Sequence, residues 1–106
     1  MSGALDGRRA LVTGSGAGIG LGIARELALQ GAAVALHYAH SADGAHALCI
    51  EIASSGGRAT VLSGDLADVT ECRRIVDEAA AELDGLDIVV NNSGDRKSTR
   101  LNSRHH

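Results

Sequence analysis

The sequence has almost no aromatic residues: it contains no phenylalanine and no tryptophan, and Tyr38 is its single tyrosine. Recognition of unstacked nucleic-acid bases depends on aromatic platforms, so this scarcity argues against it. Basic residues are also few for a polyanion-binding domain, because 10 lysines and arginines stand against 13 acids. No apolar run approaches the ~20 residues needed to cross a bilayer. We therefore expect an aliphatic core and neither a nucleic-acid nor a membrane partner.

Cysteine is scarce as well, since Cys49 and Cys72 are the only two in a chain of 106 residues. Two cysteines at apolar positions of helical patterns do not form a disulfide scaffold and are typical of free thiols in a reducing compartment. The stretch 10–24 follows two arginines, but its five glycines make it a poor signal peptide. The length fits one small domain, which we expect to be cytoplasmic.

Short aliphatic runs alternate with longer segments of helical spacing as far as residue 94. This alternation is typical of βαβ units, in which helices join parallel strands. Right-handed crossovers place the strands in the order 3-2-1-4, the N-terminal part of a doubly wound α/β sheet. The predicted strands cover residues 10–12, 34–38, 60–62 and 88–90, and three helices begin near Gly18, Ser41 and Asp68.

The helical spacing also predicts which side chains face the sheet. The first helix presents Ile19, Ile23 and Leu27 on one face before it ends at Gly31. The third helix begins with Asp68 as a cap, to which Glu71 can reach back. Its predicted inward residues are Cys72, Val76, Ala79, Ala80 and Leu83.

A glycine-rich turn, residues 13–20, separates the first strand from the first helix. It fits the pattern T-G-x-x-x-G-x-G, whereas a strict G-x-G-x-x-G and a phosphate loop ending in Gly-Lys-Ser/Thr both fail. Gly14 permits a tight turn, Gly18 lets the backbone approach a pyrophosphate, and Gly20 allows the helix to pack closely. Unpaired amides at the helix start favour an anion. The turn therefore predicts a phosphate-bearing ligand, with a purely structural turn as the alternative.

Together with this turn, three later motifs resemble the short-chain dehydrogenase/reductase family over residues 4–94. They are Gly64-Asp65-Leu66 after the third strand, Leu86–Val90 as the fourth strand, and Asn91-Asn92-Ser93-Gly94 after it. The resemblance implies NAD(P)-dependent reduction of carbonyls or oxidation of alcohols by hydride transfer. It also implies that Asp65 accepts a hydrogen bond from the adenine amino group and that the asparagine motif steadies the sheet beside the cofactor. Ser93 replaces the usual alanine, which leaves the backbone role intact.

The candidate cofactor-binding residues lie in these motifs and after the second strand. Tyr38 occupies the position where an acid would bind the adenosine ribose and repel a 2′-phosphate. The next acid is Asp43, already inside the second helix, while Ser41 and the helix amides can hold a phosphate. We therefore expect NADP, and NAD stays open because neither Ala17 nor Ala39 is a basic residue. The predicted set is Gly14, Ser15, Gly16, Gly18, Ile19, Gly20, Tyr38, Ser41, Asp65, Leu66, Asn91, Ser93 and Gly94.

The resemblance also implies a catalytic tyrosine, a lysine four residues after it and a serine, and none of these can be assigned in this chain. Ala42 stands four residues after Tyr38, and the sole lysine is Lys97. We therefore expect no catalytic residue and no turnover by the chain as it stands. For the full-length parent, the resemblance implies a small alcohol or carbonyl substrate and a homo-oligomer built through helices that this chain lacks. The fourth strand should then be an exposed, aggregation-prone edge.

The composition changes after Gly94. Residues 95–106 hold four of the 10 basic residues and one of the 13 acids. A basic tail of this kind could bind nucleic acid. However, Asp95–Ser103 matches, residue for residue, the translation of a common sequencing-library adapter, GAT CGG AAG AGC ACA CGT CTG AAC TCC. We therefore predict a partial NAD(P)-binding domain over residues 1–94 and a non-native, disordered tail over residues 95–106.

Two other functions can be compared with this one. A nucleotide sensor that binds NADP without chemistry would share every motif up to Gly94. A metal site would have His37, His40 and His46 as its candidate ligands, but their spacing does not bring them together. We expect ordinary surface histidines and no bound metal.

Overall fold

The computed structural model describes residues 3–92 and 100–102, which form a five-stranded sheet in the order β3-β2-β1-β4-β5. The parallel strands are β1 (Arg9–Val12), β2 (Ala33–Tyr38), β3 (Ala59–Ser63) and β4 (Ile88–Asn91). A short strand, β5 (Arg100–Asn102), pairs with β4 in the antiparallel sense. The predicted order of the first four strands is confirmed.

Three helices connect the parallel strands: α1 (Gly18–Leu29), α2 (Ala42–Ser54) and α3 (Val69–Leu83). Helices α1 and α2 pack on one face of the sheet, and α3 packs on the other. Helices on both faces of a parallel sheet define the doubly wound arrangement. The predicted α/β fold class is therefore confirmed.

The strand side chains alternate between two buried layers. Val12 and Leu36 are register partners and pack against α1 and α2, while their neighbours Leu11 and Ala35 pack against α3. All four are fully buried, because crossover helices cover both sides of the sheet. The buried hydrophobic residues of the described chain are all aliphatic, as the composition predicted.

The buried face of α1 differs from the predicted one. Gly20 and Ala24 are the buried residues of this helix, whereas Ile19 is 72% exposed. At Gly20 the helix lies so close to the glycine turn that a β-carbon would overlap the carbonyl oxygen of Gly14. The inward face of the helix is therefore centred on Gly20. Ile23 and Leu27 pack at the margin of the core. Gly31, with φ of 104°, follows the helix as predicted.

Helix α3 begins at the predicted cap. The Asp68 side chain accepts a hydrogen bond from the backbone N–H of Thr70 at 2.8 Å. The predicted return contact from Glu71 is wrong, because that carboxylate binds Arg74 at 2.9 Å. The N–H of Asp68 donates instead to the carbonyl of Asp65 at 3.2 Å. Two amides at the start of α3, those of Asp68 and Thr70, are therefore satisfied by local contacts.

The inward face of α3 consists of Ile75, Ala79 and Leu83, which repeat at intervals of four. Ile75 was absent from the predicted face, and Cys72 is only half-buried. The predicted face was therefore rotated by one position at its N-terminal end. Ala79 and Leu83 confirm the rest of it.

Strand β4 is covered on both edges within the described residues. β1 pairs with one edge, and Arg100–Asn102 pairs with the other over Val89, Val90 and Asn91. The expectation that β4 would be an exposed edge is therefore wrong. The division of the chain after Gly94 stays a prediction, because residues 93–99 and 103–106 lie outside the described part.

Candidate functional site

The four parallel strands end at the same edge of the sheet, where the predicted motifs meet. Thr13 follows β1, Tyr38 ends β2, Gly64 follows β3 and Asn91 ends β4. Ligands of open α/β sheets bind in the crevice outside these carboxyl ends. The fold thus brings the glycine turn, the Gly64-Asp65-Leu66 loop and the asparagine motif to one side of the molecule.

The glycine turn adopts the backbone that its sequence predicted. Gly14 and Gly18 have φ values of 64° and 60°, a region that glycine occupies without strain. The first helical hydrogen bond runs from the N–H of Leu21 to the carbonyl of Ala17, so the amides of residues 18–20 have no partner within the helix. The first turn of α1 holds no acid, and Ala17 supplies no side-chain cap. This helix start is suited to an anion.

Space at the turn favours glycine for two different reasons. A β-carbon at Gly18 would meet nothing within 4 Å, which leaves that backbone open to an approaching ligand. A β-carbon at Gly16 would overlap the carbonyl oxygen of Ser41, and one at Gly44 would overlap the carbonyl oxygen of Gly16. The turn is therefore seated against the start of α2, which places Ser41 next to Gly16.

His37, the second-last residue of β2, binds both neighbouring loops. Its ring Nδ1 accepts a hydrogen bond from the N–H of Gly14 at 3.0 Å, and its Nε2 lies 2.9 Å from the carbonyl oxygen of Gly64. The side chain is fully buried, and burial lowers the pKa of His37 below its ordinary value, with a smaller contribution from the charge of Arg74. The expectation of a surface histidine is wrong here.

Ser15 is held by the same residue of β2. Its N–H and its hydroxyl both donate to the carbonyl oxygen of His37, at 2.7 and 3.1 Å. Ser15 is fully buried, so its donors support the turn from within. Its predicted contact with a cofactor stays a prediction, and the structure does not bring either donor to the open side of the turn.

Thr13 joins the glycine turn to the asparagine motif. Its hydroxyl accepts a hydrogen bond from the N–H of Asn92 at 2.8 Å and lies 3.2 Å from Oδ1 of Asn91. The amide nitrogen of the Asn92 side chain donates to the carbonyl of Gly14 at 3.5 Å. The steadying role that the resemblance implied for this motif thus has a physical basis in the contacts of Asn91 and Asn92 with the two residues that follow β1. Ser93 and Gly94 lie outside the described residues.

Asp65 and Leu66 lie on the loop after β3. Oδ1 of Asp65 accepts a hydrogen bond from the N–H of Ala67 at 2.9 Å, which is an Asx turn. The residue is exposed, and its Oδ2 accepts no hydrogen bond from the described residues. Leu66 packs against the layer beside α3, and its carbonyl accepts the Cys72 thiol at 3.0 Å. The loop therefore holds an acceptor open at the sheet edge.

Tyr38 and Ser41 line the side of the crevice formed by β2 and α2. Tyr38 is half-buried, and its ring centroid lies 5.9 Å from that of His46. Ser41 precedes α2, is exposed, and makes no side-chain capping bond. Asp43 is the only acid in the first turn of that helix. This side of the site has no carboxylate at the end of β2.

Within residues 3–92 and 100–102, no three histidine, cysteine, aspartate or glutamate side chains group as a metal site requires. No helix among the described residues has the length and apolar character for crossing a membrane.

Known proteins are similar to this chain in sequence and in fold. The family model described as short chain dehydrogenase matches residues 8–105. Elsinochrome reductase 1 of Elsinoe fawcettii is 49% identical over 90 residues, and a hydroxynaphthalene reductase-like protein of Metarhizium robertsii is 47% identical over 90 residues; each match covers 85% of this chain. A short chain dehydrogenase of Burkholderia cenocepacia, solved in complex with NADP, superposes with a TM-score of 0.83 at 46% identity over 89% of this chain.

The chain is much shorter than these proteins. It spans 34% of the length of each of the two reductases and 38% of the Burkholderia chain. The shared part comprises the four parallel strands and three helices that bring the glycine turn to the sheet edge.

Proposed function

The chain belongs to the short-chain dehydrogenase family, and from this premise we propose that the intact protein is an NAD(P)-dependent oxidoreductase acting on a small alcohol or carbonyl compound. Residues 3–92 supply the part of its site that holds the dinucleotide. One observation carries this proposal: the open glycine turn at the start of α1, where the amides of residues 18–20 have no partner within the helix and a β-carbon at Gly18 would meet nothing within 4 Å.

Three parts of the cofactor would each meet a group at the sheet edge. The amides of Gly18, Ile19 and Gly20 would hold the pyrophosphate, because they precede the first helical hydrogen bond. Asp65 would accept from the adenine amino group through its open carboxylate oxygen. Asn91 would lie beside the nicotinamide half, with Ser93 and Gly94 following it in the chain. The bound nicotinamide ring accepts or supplies the hydride.

NADP is the proposed cofactor, with NAD as the alternative. No carboxylate stands at the end of β2 to repel a 2′-phosphate, since Tyr38 occupies that position. The hydroxyl of Ser41 is exposed beside the glycine turn, and the amides of the first turn of α2 follow it. Asp43 opposes a phosphate there, but it is exposed and therefore well screened. The NADP bound to the Burkholderia relative supports the same choice.

A titration of the intact protein with NADP⁺ and with NAD⁺, followed by calorimetry, tests both parts of this proposal. We expect NADP⁺ to bind more tightly. Ser41→Ala should weaken NADP⁺ by about three- to tenfold and leave NAD⁺ unchanged, because a charge-assisted hydrogen bond to the 2′-phosphate is lost. Ser55→Ala, at the opposite end of α2, is the matched control and should change neither affinity. Tighter binding of NAD⁺ would reverse the cofactor choice, and binding of neither nucleotide would refute the proposed function.

We assign no catalytic residue within this chain of 106 residues. General acid catalysis contributes typically ~10²- to 10⁴-fold to a rate, and the family's tyrosine and lysine pair is absent from the sequence around Tyr38. The chain of 106 residues should therefore bind a cofactor but reduce none of a panel of carbonyl compounds. Steady oxidation of NADPH above the uncatalysed rate would contradict this.

We also propose that the intact protein is a cytoplasmic homo-oligomer. A cytoplasmic location fits the free, half-buried thiols of Cys49 and Cys72. A homo-oligomer, the state implied by the resemblance, would use surfaces outside the described residues.

A further inference from the structure

We propose that His37 is a positioning residue that sets the distance between the two loops of the cofactor site, so that they bind one dinucleotide together. The inference rests on the proposed function. The two loops are the glycine turn, which would hold the pyrophosphate, and the Gly64-Asp65-Leu66 loop, which would hold the adenine.

The order of the strands explains why a side chain of β2 must do this. The glycine turn follows β1 and the second loop follows β3, and β2 lies between those strands. The His37 ring bridges the gap, with Nδ1 3.0 Å from the N–H nitrogen of Gly14 and Nε2 2.9 Å from the carbonyl oxygen of Gly64. The backbone carbonyl of His37 also accepts both donors of Ser15. His37 therefore binds two residues of the turn and one of the second loop.

These two ring contacts require one form of the imidazole. The amide of Gly14 can only donate, so Nδ1 must be unprotonated, and the carbonyl of Gly64 can only accept, so Nε2 must carry the proton. The neutral Nε2–H tautomer satisfies both partners. An imidazolium would place an N–H at Nδ1 against the N–H of Gly14 and break the contact with the turn.

Burial favours the neutral form of the ring, and the charge of Arg74 adds a smaller contribution. Arg74 is the cation of α3 that lies near it, and its guanidinium binds the carbonyl of Ser63 and is paired with Glu71 and Glu78. Asp65 follows Gly64 on the second loop, and the glycine turn contains no titratable side chain. On β3 the register partner of His37 is Leu62, which is apolar and buried. Acidification is therefore expected to weaken the bridge.

Three variants of the intact protein separate positioning from general stability. His37→Leu keeps the bulk and removes both hydrogen bonds, and we expect it to weaken NADP⁺ about tenfold. His37→Gln retains an acceptor and a donor and should bind NADP⁺ within about threefold of the unaltered protein. Leu36→Ala is the matched control, because this fully buried neighbour faces the opposite layer. It should lower the stability and leave the affinity for NADP⁺ within about twofold.

A second measurement does not require His37→Leu to fold. As the pH falls below the pKa of His37, the affinity for NADP⁺ should fall more steeply in the unaltered protein than in His37→Gln, because only the former loses the bridge by protonation. Titration of the 2′-phosphate itself affects both proteins equally. Nitrogen-15 NMR of the ring should show a protonated Nε2 and an unprotonated Nδ1 at neutral pH, and the Gly14 amide shift should follow the titration.

The outcomes distinguish this inference from the proposed function. If neither nucleotide binds the unaltered protein, the proposed function fails and this inference fails with it. If NADP⁺ binds and His37→Leu matches the unaltered protein, or loses no more affinity than Leu36→Ala, the function stands and the bridge is refuted. Parallel pH profiles in the unaltered protein and His37→Gln, or a protonated Nδ1 at neutral pH, would also overturn it.

Discussion

Gly20 and Gly22 show, at the level of single residues, how surroundings decide whether glycine is required. Both lie in α1, where glycine weakens a helix, yet their surroundings differ completely. A β-carbon at Gly20 would overlap the carbonyl oxygen of Gly14 and lie 2.5 Å from the side-chain nitrogen of Asn92, whereas one at Gly22 would meet nothing within 4 Å. Only the first glycine is required by packing.

Alanine substitution at these two positions should therefore act in opposite directions. We expect Gly20→Ala to destabilise the protein by ~1–3 kcal/mol and to impair NADP⁺ binding, because the added carbon forces α1 away from the turn. Gly22→Ala, its control, should stabilise by ~0.5–1 kcal/mol through helix propensity. Urea unfolding and NADP⁺ titration measure both effects. Equal effects at the two sites would show that propensity, not contact, decides.

At the scale of elements, the cap and the first-turn acids of each helix determine whether its N-terminal amides can bind an anion. Helix α1 has no side-chain cap, no acid in its first turn and an open glycine turn before it. Helix α3 has Asp68 as a cap, with Glu71 in its first turn. A capped, acidic N-terminus is less suited to an anion, so α1 offers a better anion site than α3.

Removing the cap of α3 should affect stability and spare cofactor binding. Asp68→Ala is expected to cost ~0.5–2 kcal/mol, because the N–H of Thr70 loses its partner. Asp77→Ala, on the exposed side of the same helix, should change the free energy of unfolding by no more than ~0.5 kcal/mol. Thermal or urea unfolding compares them. A loss at Asp77 as large as that at Asp68 would show that charge, and not capping, explains the effect.

At the scale of the whole molecule, an ion pair links two neighbouring strands at the end of the sheet opposite the site. The guanidinium of Arg9 contacts both carboxylate oxygens of Asp87 at 2.9 and 3.1 Å, and the N–H of Arg9 adds a third hydrogen bond. These bonds join the start of β1 to the residue before β4. The side-chain hydrogen bond from Arg9, more than the charge itself, lowers the pKa of Asp87 below its ordinary value of 3.8.

This pair should contribute to the acid sensitivity of the fold. Because the pKa of Asp87 is lower in the folded protein, its stabilisation is complete above pH 3.8 and is lost as the pH falls through the lowered pKa. Asp87→Asn should reduce stability at neutral pH and flatten the loss below pH 3.8. Glu51→Gln, which breaks an exposed pair with Arg25, is the control and should leave the neutral-pH midpoint nearly unchanged. Unfolding curves recorded from pH 7 to pH 2 decide the matter, and a profile of Asp87→Asn parallel to the unaltered one would remove the pair from the explanation.

The same pH scale also reports on His37. Its pKa is lowered on folding, so the unfolded chain binds a proton at a higher pH than the folded one. Stability is therefore complete above the ordinary value of 6.5 and falls as the pH drops from there towards the lowered pKa. His37→Gln should lack this component, which lies at higher pH than the loss attributed to Asp87.

Short-range patterns in the sequence determined the positions of the strands, the ends of the helices and the glycine turn, because periodicity, caps and positive-φ glycines act over a few neighbouring residues. The order of the strands followed from the right-handed crossover rule. Gly14 and Gly31 show this, since each adopts the backbone that its position predicted. Tertiary structure alone decided the roles of His37, Ser15 and Ile19: a bridge between loops, a buried support and an exposed apolar side chain. The roles of His37 and Ser15 arise from contacts between residues more than 20 positions apart, such as Gly14 and His37. No local pattern encodes which side chain will fill the space between two strand ends, so only the assembled sheet could assign them.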